Sequence, residues 1–541
     1  MAKKTNNNNG NSGNGNSSSE LLKQLWETAT RLRGSIEPAD YKRYVLPVIF
    51  LRFLSLRYEK RRAELEDLIA DPNSEYFTED SDVAEQILED ADEYRSANVF
   101  IVPEKARWSY LREHANDDDI KLKLDDALES LEKAYPDKLR GLLPRLFVGS
   151  NVSAGDATGL INLFSKDIFK RDHGGEDMLG KVYEYFIGEF ASSEGKRGGE
   201  YFTPVSIVRT IVGMLEPTEG KVFDPCCGAG SMFVQSDTFT THNGRLSFYG
   251  QETKDFTWRL CMLNLFIHGI DGDIRLGNSY TDDKHGLLRA DYILANPPFN
   301  DGAKSQTGWG AAGIVTKDPR LMQFGDNPAT LSPKNANTMW MMHFLYHLAP
   351  GGTAGFVMST GELSNSEVAR LEIRKTLVDL NYVDAIVQMP GQLFANTQIP
   401  CALWFLSKNR RGEKGFRKRE GEILFIDARK MGVLIPGSRK QKQFSDEEIE
   451  RIASIYREFR RTGIPKEAAG FCKVAMLDDV RGHNYSLTPG RYVGAEDIED
   501  DGLPFDEKFP LLMEKLNEQF SKSAELEQLL KESLREFNYE L

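Results

Sequence analysis

Cysteine is scarce in this chain. Five thiols, Cys226, Cys227, Cys261, Cys401 and Cys472, are spread over 541 residues without a C-x-x-C pair. That argues for a reducing compartment and against a disulfide framework or a structural zinc. No apolar run reaches the roughly 18 residues that a membrane-spanning helix needs, and no signal peptide is recognisable, so the expected location is the cytoplasm with no membrane contact. An excess of positive charge is also missing. Lys and Arg number 68 against 82 Asp and Glu, for a net charge of −14 and a pI near 5.3, whereas a chain gripping nucleic acid through phosphates alone would carry the opposite balance. Hydrophobic residues make up 40% of the sequence. The chain is therefore globular, and at about 150 residues per domain it divides into two to four units.

The pattern changes along the chain. Residues 1–19 are mostly Asn, Gly and Ser with nothing to bury, and are expected to be a disordered tail. Residues 20–154 read as a helical domain, in which Leu21, Leu22, Leu25, Trp26, Ala29 and Leu32 keep a 3.6-residue period and 45–56 is apolar enough for a buried helix entered near Pro47. Residues 155–430 continue helical to 193 and then alternate. Strands are expected at 222–223, 247–249, 273–276, 292–294, 353–358, 383–389 and 402–406, with helices such as 338–348 and 367–380 between them. That alternation predicts an α/β doubly wound, Rossmann-like sheet. Only 390–400 separates the last two strands, too little for a crossover helix, so the last strand should be antiparallel. Residues 431–507 read as an irregular extension. Residues 508–541 read as a charged helix with Leu511, Leu512, Leu516, Phe520, Leu526, Leu529, Leu530 and Leu534 along one side, suited to a partner's helix or to docking on its own chain. Two basic clusters, Arg410, Arg411, Lys414, Arg417, Lys418, Arg419 and then Arg439, Lys440, Lys442, read first as solvated hairpins and second as phosphate contacts.

Four motifs fall at the ends of predicted strands. After 222–223 come Asp224, Pro225, Cys226, Cys227, Gly228, Ala229, Gly230 and Ser231, a turn whose glycines let backbone approach a ligand and whose following helix offers N–H groups to an anion. It is neither a Walker phosphate loop nor a Gly-x-Gly-x-x-Gly turn. Glu252 ends the second strand about 20 residues on, where nucleotide sites place an acid on ribose hydroxyls. Asn278 follows the third strand with an amide able to read an adenine edge. Asn296, Pro297, Pro298 and Phe299 follow the fourth. An exocyclic amine on a nucleobase is a poor nucleophile, and the Asn296 side-chain oxygen with the Pro297 carbonyl would grip its hydrogens and localise its lone pair. Pro297 and Pro298 stiffen the turn, and Phe299 suits stacking on a flipped base. Upstream, Gly199 to Pro204 forms a turn entering a helix, with Thr203 most simply an N-cap.

In this order the motifs resemble those of S-adenosylmethionine-dependent amino-methyltransferases, and nearly the whole chain resembles the modification subunit of Type I restriction-modification systems. The resemblance also rests on 25–56, on Leu-Phe-Ala-Asn-Thr-Gln-Ile-Pro at 393–400 and on 485–493. It implies an N6-adenine DNA methyltransferase with S-adenosylmethionine as cofactor and no metal. It implies Glu200, Tyr201, Phe202, Thr203, Pro204, Gly228, Ala229, Gly230 and Ser231 as cofactor contacts beside Asp224, with Glu252 on the ribose, Asn278 near the cofactor adenine, and Asn296 and Phe299 at the target base. It also implies a specificity subunit, a restriction subunit, double-stranded DNA and two copies of this chain per specificity subunit as partners, and a helical domain that helps close around DNA. Position 278 is Asn where many relatives carry Asp, and Cys226 and Cys227 replace commoner small residues.

Three other readings fit less well. Protein glutamine N5-methyltransferases usually carry Tyr where this chain has Phe299 and are much shorter. A stand-alone adenine methyltransferase needs a recognition domain, for which the chain after Leu406 is short. A non-catalytic scaffold would have no use for Asp224, Glu252 and Asn296. The glycine-rich stretch 300–337, directly beyond the four-residue turn, is expected to order only with DNA or the partner subunit. Hydrogen exchange across it should slow when both are added; unchanged exchange would remove that expectation.

Overall fold

The structure is a computed structural model that describes residues 14–536 apart from 35, 98, 167–177, 194–201, 241–243, 300–317, 325–326, 333–334, 395–397, 436–437, 439, 464, 466 and 496–504. Its centre is a nine-stranded sheet. In chain order the strands are β1 Gly220–Asp224, β2 Leu246–Glu252, β3 Gly272–Leu276, β4 Ala290–Ala295, β5 Leu348–Ser359, β6 Val383–Gln388, β7 Cys401–Ser407, β8 Glu422–Asp427 and β9 Cys472–Met476. They lie in the order β9-β8-β6-β7-β5-β4-β1-β2-β3.

Alternate side chains of these strands feed two separate apolar layers. Val222, Leu294, Val357, Leu403 and Phe405 face one side with helices Val205–Leu215 and Asp446–Arg461. Phe223, Ile293, Phe356 and Trp404 face the other with helices Asn337–His347 and Val368–Asp379. Burial on both faces explains why the strands read as continuous apolar runs rather than alternating ones. The expected antiparallel strand is β7, which runs against both β5 and β6, with Trp404 opposite Phe356 and Ile386.

The sheet then continues past the seven strands read from sequence. Strand β8 is parallel to β6, and β9 is antiparallel to β8. Residues 431–507, read as irregular, thus supply the edge strand β9 and the helix Asp446–Arg461, which opens with a capping box between Ser445 and Glu448. The short strand Cys-Lys-Val-Ala-Met offers too few alternating positions to stand out from a loop.

The helical layer also differs from its sequence reading. Its first helix, Asn14–Leu32, starts inside the stretch expected to be a disordered tail. Helix Pro38–Ala70 is entered at Pro38, and Pro47 sits inside it rather than at its start. Tertiary burial of Val45, Ile49, Phe50 and Phe53 holds that helix where the missing Pro47 N–H would weaken it. Helices Ala154–Phe164 and Met178–Ser193 share this apolar cluster, so the helical layer runs on beyond residue 154 to Ser193. Leu260, Leu263 and Ile267 of helix Asp255–Ile267 join the same cluster, and Phe50 meets Phe266 at 5.3 Å between ring centroids. The layer is docked on the sheet domain directly behind the glycine turn.

The first basic cluster is paired with carboxylates of this chain. Asp384 of β6, 0% exposed, accepts from Arg419 Nε at 2.8 Å and Nη2 at 2.9 Å and from Tyr456 Oη at 2.8 Å, and is ion-paired with Arg410. Arg417 is paired with Glu422, Arg411 and Lys418 with Glu420, and Lys414 with Asp291. The cluster ties β6, the β7–β8 connection and helix Asp446–Arg461 together. In the second cluster Arg439 lies outside the described residues, Lys440 is exposed, and Lys442 belongs to a short antiparallel pair of Val433–Leu434 with Lys442–Gln443. Residues 494–541 form a separate compact unit around helix Phe505–Glu536, on which Leu512, Leu516, Phe520, Leu526, Leu529 and Leu530 are exposed.

Removing one partner of a buried ion network leaves its counter-charges stranded. Asp384→Ala should lower unfolding stability by about 3–5 kcal/mol, while Lys418→Ala on the same connection should stay within about 0.5 kcal/mol. Urea titrations of the two variants check the contrast.

Candidate functional site

The four motifs meet because β4, β1, β2 and β3 are adjacent and mutually parallel. Their C-terminal ends therefore lie along one edge, and the order reverses between β1 and β4, where open α/β sheets bind ligands. Asp224, Glu252, Asn278 and Asn296 stand in or just beyond those ends.

The glycine turn is built to bring backbone close. Gly228 and Gly230 take φ of +54° and +83°, and a Cβ on Gly230 would lie 2.9 Å from Cys261 Sγ. Gly230 is the N-cap of helix Ser231–Phe239, so the turn delivers a helix N-terminus to the edge. Glu252 braces the turn across strands: its Oε2 accepts from Gly228 N at 3.1 Å and its Oε1 from Lys254 N at 2.9 Å. Asp224 Oδ1 accepts from Cys226 N at 3.0 Å. Burial pushes the Asp224 carboxyl up to about 7 and that of Glu252 up as well, while the N–H donors oppose the shift.

Asn296 Nδ2 donates to Thr203 Oγ1 at 3.1 Å. The side-chain oxygen is left as the acceptor, and the 202–204 turn is tied to the four-residue turn across 93 positions of sequence. Thr203 is therefore not an N-cap; Pro204 holds that position and helix Val205–Leu215 has no side-chain cap. Phe202 packs on the helical layer, its ring 3.2 Å from where a Gly188 Cβ would sit. Pro297 is buried, and Phe299 is half-buried against the apolar layer that holds Val222 and Leu294. A hollow of about 10 Å³, the size of one water, lies among Thr203, Asp224, Gly228, Ser231 and Asn296. It is the floor of a site rather than a container for a nucleoside. Ala229 is buried in the turn, with its carbonyl accepting from Asn264 Nδ2 at 2.9 Å. Glu200 and Tyr201 lie outside the described residues.

Asn278 is set differently from its sequence reading as a free amide. Its Oδ1 accepts from Tyr280 N at 2.8 Å, which fixes the side chain and leaves both Nδ2 hydrogens to address a ligand. Ser279 Oγ donates to the Pro225 carbonyl at 2.6 Å, which joins this turn to the glycine turn. Nothing in the spacing of Ser279 and Pro225 announces that bond.

The expectation of no metal passed over His343 and His347, one turn apart on helix Asn337–His347 and close to Asp283. Three of their four ring nitrogens have hydrogen-bond partners, and His343 Nε2 is buried without one. His347 Nε2 bonds Asp283 Oδ2 at 2.9 Å and its Nδ1 the Leu288 carbonyl at 3.0 Å, while Arg320 Nη1 donates to His343 Nδ1 at 3.2 Å. Burial would raise Asp283, but the His347 bond and the charges of His343, His347 and Arg320 hold it at about 2. Burial, then His347 and Arg320, push His343 well down. The Arg320 guanidinium donating to the ring and the Asp283 carboxylate on His347 make these residues part of one buried ion network.

Comparison with known proteins agrees with this geometry. The N-6 DNA methylase family matches residues 174–501, and the HsdM N-terminal domain matches residues 21–164. The chain is 40% identical over 523 residues to the Type I restriction enzyme MjaIX methylase subunit of Methanocaldococcus jannaschii, covering 95% of this chain and 91% of that one. It is 41% identical to the HindI methylase subunit of Haemophilus influenzae, covering 77% and 92%. Among solved structures, the Type I restriction-modification methyltransferase subunit of Streptococcus thermophilus shares the fold with a TM-score of 0.71 at 24% identity, covering 88% of this chain and 99% of that one.

The raised Asp224 carboxyl has a testable sign. With a folded value near 7 against an ordinary 3.8, the folded state holds the proton more tightly, so this group's contribution to stability is fully present below about pH 4 and is lost as pH rises towards 7. Asp224→Asn keeps the acceptor for Cys226 N and removes the titration. The unfolding stability of wild type relative to D224N should therefore drop by up to about 4 kcal/mol between pH 4 and pH 8, read from urea midpoints.

Proposed function

Since the chain belongs to the N-6 DNA methylases, as a methylase subunit of a Type I restriction enzyme, we propose that it transfers the methyl group of S-adenosylmethionine to N6 of an adenine flipped from a specific DNA sequence that a separate specificity subunit reads. That the chain is an adenine-specific DNA methyltransferase is the premise. The donor, the flipped base and the division of labour are the proposal. The carrying observation is the bond between Asn296 and Thr203, which turns the side-chain oxygen of the four-residue turn towards an incoming amine beside the glycine turn.

The residues present fit the donor. A glycine turn with no room for a Cβ at Gly230, a helix start at Ser231, the Glu252 carboxylate and the Asn278 amide offer partners for its carboxylate, ribose and adenine. When bound, S-adenosylmethionine supplies a methyl group already activated on a sulfonium. The chain's own work is positioning. Asn296 Oδ1 and the Pro297 carbonyl accept the two N6 hydrogens, and the N6 lone pair is thereby localised along the line of attack. Phe299 stacks on the base while the apolar layer braces it. The N6 proton made surplus by the transfer would pass to water, since no side chain of the turn is placed to take it.

Charge supports a division of labour. The net charge is −14, and the described members of the first basic cluster are spent on carboxylates of this chain. DNA is then gripped mainly by the partner, and the exposed apolar row on helix Phe505–Glu536 suits a helix of that partner. We place two such chains on each specificity subunit, with the restriction subunit joining the full complex, in the cytoplasm. Among the described residues no helix is long and apolar enough to cross a membrane.

Asn296→Ala should abolish N6 methylation by the complex with the specificity subunit, by at least about a hundredfold, while the equilibrium affinity for S-adenosylmethionine changes little. Turnover like that of wild type would refute the role. Long-read mapping of N6-methyladenine in cells with and without the gene should show the loss of one bipartite motif.

A further inference from the structure

We propose that Arg320 is a positioning residue of the methyl-donor site, holding the 278–280 turn so that the Asn278 carboxamide faces the bound nucleoside. The inference rests on the reading of this edge as the donor's site.

Arg320 is 8% exposed, and all five of its N–H donors have acceptors. Nε donates to Asp318 Oδ1 at 2.9 Å and Nη2 to Asp318 Oδ2 at 2.6 Å. Nη1 donates to the Ser279 carbonyl at 2.5 Å and to His343 Nδ1 at 3.2 Å, and Nη2 to the Tyr280 carbonyl at 2.6 Å. Two consecutive carbonyls of one turn thus converge on one guanidinium. Only a planar fork meets both at once, since a lysine ammonium is a point charge on a flexible stem.

The other bonds of the turn show what is being positioned. Tyr280 N occupies Asn278 Oδ1, so the Asn278 amide presents hydrogen-bond donors, matched to a ring nitrogen of adenine rather than to its amino group. Gly277 N donates to the Glu252 carbonyl at 2.9 Å, and Ser279 Oγ to the Pro225 carbonyl at 2.6 Å, so the turn is registered against both the ribose acid and the glycine turn. Gln251, 0% exposed, holds the next stretch through Asp282 O and Lys284 N. Arg320 is the clamp on the remaining side. His343, with His347 and Asp283 behind it, is the frame against which the guanidinium is set.

The test uses the full chain in complex with its specificity subunit, with Arg320→Lys, Asp318→Asn, Asn278→Ala and the R320K/N278A double variant. Calorimetric titration with S-adenosylhomocysteine gives Kd, and methylation kinetics with saturating DNA give kcat and KM for S-adenosylmethionine. R320K should raise both Kd and KM about tenfold, with kcat and the DNA KM held within about threefold. D318N, which keeps the carbonyl contacts but loosens the fork, should raise them less. If Arg320 acts through Asn278, R320K adds little to N278A; a purely structural role would give additive effects and a lowered unfolding midpoint. Folded R320K with the Kd of wild type, or a loss of kcat at unchanged KM, overturns the proposal alone. Failure of the wild-type complex to bind S-adenosylhomocysteine overturns the donor site and this inference with it.

Discussion

Parallel pairing of β1 with β2 on one side and with β4 on the other is the constraint from which the site follows. It puts the ends of strands separated by tens of residues on one edge, and it reverses the strand order beside β1, which opens the crevice a ligand needs. Everything chemical then needs only short reach. Glu252 spans one strand spacing to hold the Gly228 amide, and Thr203 spans one turn to hold Asn296. The pairing persists because β1 buries Val222 in one apolar layer and Phe223 in the other.

Within the sheet domain, polar groups are spent on order rather than on solvation. The Asp384 network and the Arg320 network each take a guanidinium out of water and satisfy it with carboxylates and carbonyls. Such networks contribute little net stability but penalise any arrangement that leaves one member unpaired. The first joins the far strands β6 and β8 to helix Asp446–Arg461. The second fixes the turn beside the glycine loop. Arg410, Arg419 and Arg320 are thus turned inward, onto groups of this chain.

The site was legible to the extent that its chemistry is local. Strand-end glycines, an acid 20 residues later and Asn-Pro-Pro-Phe keep their spacing in any fold that places them at a sheet edge, and Asp224, Glu252, Asn278 and Asn296 stand where that spacing put them. Thr203 read as an N-cap because the nearest N–H groups are its neighbours', yet its hydroxyl serves a side chain 93 residues away. Arg320 and His343 carried no signal, since an arginine after a glycine-rich stretch and a histidine in an apolar helix are ordinary until a fold brings them together. Strand β9 was missed because an edge strand has one neighbour to declare it, and the burial of Arg410 and Arg419 because their carboxylate lies on another strand, while Arg411, Lys414 and Lys418 stand on the exposed hairpin that was the first reading.

By itself the sequence determined the doubly wound class, the antiparallel seventh strand and the identity of the groups at the four strand ends, because apolar periodicity, short connections and turn residues act within a few positions of one another. Only the tertiary structure decided which way those groups face. The Asn278 amide presents donors because Tyr280 takes its oxygen, the Asn296 oxygen is left open because Thr203 takes its nitrogen, and Arg410 and Arg419 turn inward because Asp384 is buried between them. Each is a hydrogen bond whose partner is set by the fold, so no spacing along the chain encodes it.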